Sequence, residues 1–88
     1  MLVRYFAAAC AAAGVEEEDH PLPEGTSLET LLAAVLAVHR PEPPAGTAPL
    51  PRILQRCSFL RNQVALRDHT AGLGRNDVID VLPPFAGG

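Results

Sequence analysis

Lysine is absent from this 88-residue chain, and all seven basic side chains are arginines. That excludes Schiff-base and lysine-nucleophile chemistry. The arginines are scattered from Arg4 to Arg75 and the net charge is −3. There is therefore no basic stripe of the kind nucleic-acid binding requires. Cysteine is scarce, and Cys10 and Cys57 have no CxxC or ligand-like spacing. His20, His39 and His69 stand far apart, so no metal site is expected. The two cysteines read as small apolar residues of a reducing compartment. The apolar stretch Tyr5–Val15 is too short to cross a bilayer, so no membrane partner is expected. It also lacks room for both a basic leader and an apolar region before a cleavage site at Ala7-Ala8-Ala9-Cys10, and a cytoplasmic location is expected. No Ser-His-Asp or Cys-His constellation or paired carboxylates can be identified. Gly72-Leu73-Gly74 lacks the strand-to-helix context of a phosphate loop. An enzyme in its own right is the least expected class.

What is present makes one domain. A hydrophobic content of 48% with few charges argues against disorder. Leu2–Ala8 is rich in β-formers and suits a first strand, and Ala9–Ala13 suits a short helical turn that Gly14 ends. Strand parity puts Val3 and Tyr5 on one face and Arg4 and Phe6 on the other. Glu16-Glu17-Glu18-Asp19 reads as a solvated edge strand, with Pro21 suited to an edge. Thr26 with Glu29 three residues on forms a capping box. Leu28, Leu31, Leu32, Val35 and Leu36 then make one apolar face of a helix over Ser27–His39, stopped by Pro41. Arg40–Pro51 carries five prolines and reads as a crossover loop. Leu50, Ile53, Leu54 and Cys57 suggest a short second helix. Ser58–Arg61 and Val64–Leu66 around Asn62-Gln63 read as a hairpin, and Val78–Leu82 as the final strand. Two strands, a crossover helix and a return to the same sheet predict an α+β fold, the β-grasp or ubiquitin-like roll. It would have a mixed sheet of four to five strands, one main helix and one short helix. The last strand would lie parallel to and beside the first, as a right-handed crossover allows.

Residues 1–82 would form this domain and 83–88 an extended tail. The sequence closes on Pro83-Pro84-Phe85-Ala86-Gly87-Gly88. Each proline fixes φ and pushes its predecessor to extended backbone. Gly87 and Gly88 leave a slim tip with no side chain. The six residues reach roughly 20 Å when extended. An ordinary frayed terminus is the alternative. A stiff stalk behind a strand suits a carboxylate that must enter a narrow site on another protein.

Several segments now carry a resemblance. Val3-Arg4-Tyr5-Phe6-Ala7-Ala8-Ala9, Pro23-Glu24-Gly25-Thr26, Cys57-Ser58-Phe59-Leu60 and the run Asp77–Gly88 resemble the ubiquitin-like sulfur carriers, in particular the small subunits of molybdopterin synthase. The Pro-Pro-x-x-Gly-Gly ending is the most specific element, and the match covers nearly the whole chain.

The resemblance implies that an E1-like adenylyltransferase uses ATP to turn the Gly88 carboxylate into an acyl-adenylate, and that a sulfur donor protein displaces AMP to leave a thiocarboxylate. That sulfur would pass to a pterin precursor in molybdenum-cofactor synthesis, within a heterotetramer formed with the synthase large subunit. The large subunit would supply the catalytic groups. No cofactor would be bound permanently, since ATP is consumed by the partner. Parity makes Phe6 and Leu82 outward apolar residues on adjacent strands. With Pro83, Pro84, Phe85 and Ala86 they would form the partner interface at the base of the tail. A curled sheet that buries Phe6 is the alternative. The same carrier chemistry feeding thiamin or cysteine synthesis stays open, as does a ubiquitin-like interaction module whose tail is never activated.

Overall fold

The computed structural model describes residues 1–84. A five-stranded mixed sheet runs in the order β2-β1-β5-β3-β4, with β1 Leu2–Tyr5, β2 Glu17–Asp19, β3 Ser58–Arg61, β4 Val64–Leu66 and β5 Val78–Leu82. Helices α1 Ala7–Ala13, α2 Leu28–Ala37 and α3 Leu50–Leu54 complete the fold. β1 and β5 are parallel neighbours, with Leu2 opposite Val78 and Tyr5 opposite Val81. β5 therefore lies at the centre of the sheet, between β1 and β3. This is the β-grasp arrangement read from the sequence.

Parity holds as expected. Val3, Tyr5, Ile79, Val81 and Phe59 face inward and are buried with Leu28, Leu31, Val35, Ile53 and Leu73. Asn62 and Gln63 take φ of 48° and 69°, which lets a two-residue turn match the twist of the β3–β4 hairpin. Asp77 braces the turn into β5, accepting from Arg61 Nε at 2.7 Å, Asn62 Nδ2 at 3.0 Å and the Gly74 N–H at 2.7 Å.

Five local expectations are corrected. The first strand stops at Tyr5 and a full helix begins at Ala7, because alanine favours helix once the chain leaves the sheet. Gly14, at φ 79°, ends that helix with its N–H donating to the Cys10 carbonyl at 2.9 Å.

Ser27, not Thr26, caps α2. Its hydroxyl accepts the Thr30 N–H, while Thr26 Oγ1 donates to the Pro23 carbonyl at 2.7 Å and closes the preceding turn. The helix also ends at Ala37, short of His39, because Val38 is already extended.

Leu36 is 44% exposed. The buried stripe is Leu28, Leu31 and Val35, and position 36 has rotated off it at the helix end, where it borders a hollow lined by Val38, Pro41 and Leu50.

β2 is an edge strand with Glu17 and Asp19 exposed, as expected, but Glu18 points inward and is largely shielded from water. The Tyr5 hydroxyl donates to its Oε1 at 2.6 Å, and His20 Nε2 lies 2.8 Å from the same oxygen. Arg40 Nη1 donates to Oε2 at 2.9 Å and to the Ala13 carbonyl at 3.1 Å, and Nη2 to the Val35 carbonyl at 3.2 Å. One guanidinium thus ties the C-terminal ends of α1 and α2 to the sheet edge.

Candidate functional site

The candidate site is the base of the tail, where β5 leaves the sheet. Val81 is buried in the core, and Leu82 sits opposite Ser58 of β3. Pro83 is half-buried and Pro84 exposed. The backbone fixed by the ladder therefore gives way to a proline pair whose φ is fixed by its rings. Phe85, Ala86, Gly87 and Gly88 were also assigned to the site and lie outside the described residues.

Phe6 stands beside this exit. Its N–H donates to the Val81 carbonyl at 3.2 Å, and its carbonyl accepts the Ala9 N–H at 3.0 Å. It occupies the N-cap position of α1 in extended conformation, φ −121° and ψ 149°. Ala7 follows at φ 50°, a left-handed turn that costs a residue with a Cβ roughly 1–2 kcal/mol. This tight corner turns the ring outward, and Phe6 is 39% exposed. Phe6 is thus not buried in a second cluster. Phe6 and Leu82 follow the register partners Tyr5 and Val81, so both stand at the end of the sheet where the chain leaves β5.

The outer face of the sheet next to Phe6 carries a charge pair. Arg4 and Asp80 are register partners on β1 and β5. Arg4 Nε donates to Asp80 Oδ1 at 2.6 Å and Nη2 to Oδ2 at 2.9 Å, a bidentate fork. The hydrogen bond that Asp80 accepts and its negative charge hold the Arg4 guanidinium above its ordinary pKa. The Arg4 guanidinium carbon lies 5.8 Å from the centroid of the Phe6 ring. Sequence reading used Arg4 and Asp80 only to mark the outward face. Matching parity on adjacent strands was the signal that they pair.

Arg40 was missed as well. It lies in the proline-rich segment, where no local pattern singles it out. Cys10 and Cys57 are free and half-buried, and burial pushes the Cys57 thiol up to about 11. Among the described residues, no three His, Cys, Asp or Glu side chains converge as a metal site. No helix among them is long and apolar enough to cross a membrane.

The fold, with its final strand at the centre of the sheet, defines a ubiquitin-like β-grasp protein. Its backbone superposes on SAMP1 from Haloferax volcanii with a TM-score of 0.76, covering 100% of this chain and 98% of that one at 19% identity. It also matches the complex of subunits 1 and 2 of molybdopterin-converting factor from Helicobacter pylori, with a TM-score of 0.61 at 22% identity, covering 99% of this chain and 96% of that one. At these identities the likeness is one of fold. In sequence, the ThiS family model matches residues 3–88. The chain is also 34% identical over 87 residues to the molybdopterin synthase sulfur carrier subunit of Chlamydomonas reinhardtii, covering 98% of this chain and 95% of the relative. The chain belongs to the ThiS family.

Proposed function

We propose that this protein carries sulfur as a thiocarboxylate on Gly88 and donates it to a pterin precursor in molybdenum-cofactor synthesis. The observation that carries this reading is the near full-length match to the family and to a molybdopterin synthase sulfur carrier subunit, on a fold whose central strand leads straight into the tail. A carboxylate is a poor electrophile and must be activated. An adenylyltransferase transfers AMP from ATP to the Gly88 carboxylate and releases pyrophosphate. Hydrosulfide supplied by a donor protein attacks the acyl carbon of the mixed anhydride, the C–O bond to AMP breaks, and AMP leaves as the thiocarboxylate forms. Its sulfur then attacks the pterin precursor in a complex with the synthase large subunit, which supplies the catalytic groups. Hydrolysis returns the Gly88 carboxylate for another cycle.

The chain contributes shape to this chemistry. Gly87 and Gly88 add no side-chain bulk at the tip, Pro83 and Pro84 hold the stalk extended, and Phe6 with Leu82 forms an apolar foothold for the partner. The protein binds no cofactor permanently. A cytoplasmic cycle is part of this proposal, and the free Cys10 and Cys57 are compatible with a reducing compartment.

Intact-mass analysis of the chain purified from its own cells tests the reading. A fraction heavier by the difference between sulfur and oxygen, located to Gly88, is expected. Absence of that fraction in cells actively making the cofactor, together with failure of the adenylyltransferase to modify the tail in vitro, overturns it.

A further inference from the structure

Asp80 is a carboxylate that water hardly reaches, although it stands on the sheet face opposite the core. Its side chain is 6% exposed, against 34% for Arg4. Both carboxylate oxygens are held by the Arg4 fork. The carbon of that guanidinium lies over the Phe6 ring, 5.8 Å from its centroid. Both ends of this chain of contacts are anchored on β5. Asp80 belongs to the strand, and the Phe6 N–H donates to Val81, the next residue along. The ring is therefore held relative to the strand that delivers the tail. Without Arg4 it would hang from the Ala7 corner with its side-chain rotamers open.

We infer that Arg4 and Asp80 are positioning residues that set the Phe6 ring in the orientation in which it meets the synthase large subunit. The inference rests on the partner reading above. A planar guanidinium suits the role, because it forks to a carboxylate with its edge while stacking an aromatic ring on its face. Lysine can do neither in this geometry, and this chain has none. The two members of the pair are unequal. Removing Arg4 strands a nearly buried carboxylate on the docking face, whereas removing Asp80 leaves a cation that already reaches water. Replacing both with apolar residues removes the stranded charge and keeps a bulky support under the ring.

The test measures association and dissociation rates for binding to the purified large subunit at low and high salt. It uses the wild-type chain, Arg4→Met, Asp80→Val and the double variant, each checked for folding by thermal melting. Arg4→Met is expected to weaken Kd about tenfold or more through faster dissociation, Asp80→Val about threefold, and the double variant to return within about threefold of wild type. Association rates and their salt dependence stay as in wild type. A double variant as weak as Arg4→Met, with Asp80→Val unchanged, makes Arg4 a direct ionic contact and overturns the proposal. So do three variants that bind as wild type. Should Arg4→Met fail to fold, Arg4→Lys keeps the charge without the fork. A wild-type dissociation rate in that variant counts against positioning. A wild-type chain that does not bind the large subunit overturns the partner reading instead. The strut is then judged in the isolated protein by NMR, where Phe6 ring resonances unmoved by Arg4→Lys refute it.

Discussion

Arg40 donates to both carboxylate oxygens of Glu18 across 22 residues of chain, Nη1 to Oε2 at 2.9 Å and Nη2 to Oε1. Neither side chain is more than one-fifth exposed. The pair joins the loop after α2 to the edge strand.

Burial alone would raise the Glu18 carboxyl, but hydrogen bonds from Arg40, Tyr5 and His20 outweigh it and hold the group down at about 2. A carboxyl depressed in the folded state contributes stability above its unfolded pKa and loses it as pH falls through the folded one. Stability should therefore decline between about pH 4.5 and pH 2, by on the order of 2–3 kcal/mol from this group. Urea midpoints across that range check it, and Glu18→Gln should flatten the profile.

Arg40→Met should cost roughly 2–4 kcal/mol, because it strands Glu18 and leaves the Ala13 carbonyl without its Arg40 donor. Equilibrium denaturation measures this. A loss below about 0.5 kcal/mol would rank the contact with ordinary surface pairs.

Three leucines of α2 separate its faces. Leu31→Ala should cost roughly 2–5 kcal/mol, since Leu31 is fully buried. Leu32→Ala should cost less, because Leu32 is only partly buried. Leu36→Ala should stay within about 0.5 kcal/mol, being 44% exposed. Equal losses at 31 and 36 would contradict the helix orientation.

Phe6→Asp should fold normally, since an aspartate at the N-cap can accept an N–H from the first turn of α1. Binding to the large subunit should nevertheless weaken by about 2 kcal/mol or more, through loss of the apolar anchor and burial of an unpaired charge. Calorimetric titration against the large subunit reads this, and wild-type affinity would place the interface elsewhere.

Deleting Gly88, or appending one residue, should abolish adenylation while changing stability by less than ~0.5 kcal/mol. ATP-dependent modification of the variants, followed by mass spectrometry, checks this. A truncated chain that is still adenylated would refute the carrier chemistry.

Alternation and turn chemistry made most of the fold legible. Val3, Tyr5, Ile79 and Val81 alternate with Arg4, Asp80 and Leu82, which fixed the faces of the two central strands. Asn62-Gln63 announced the hairpin because it sits between two short β-rich runs. Alanine hid α1, since Ala7–Ala13 has no contrast between faces and its helicity follows from propensity once β1 ends at Tyr5. Thr26 and Ser27 both suit a cap, and only the turn that closes on Pro23 decides between them. Arg40 and Glu18 were illegible for a different reason. Their contact is set by how the loop after α2 folds back over β2, and no local period encodes that. At the site, parity placed Phe6 and Leu82 outward and put Arg4 and Asp80 on one face, while the β1–β5 ladder supplies the register that makes them partners.

The central place of β5 has a mechanical consequence. A partner that draws the tail into its own site pulls along the axis of a strand bonded on both sides, parallel to β1 and antiparallel to β3. Force in that direction loads the flanking hydrogen bonds in shear, many together, whereas an edge strand pulled sideways would peel one bond at a time. In the proposed cycle the chain could thus be tugged by its tail repeatedly without its sheet unzipping from that end.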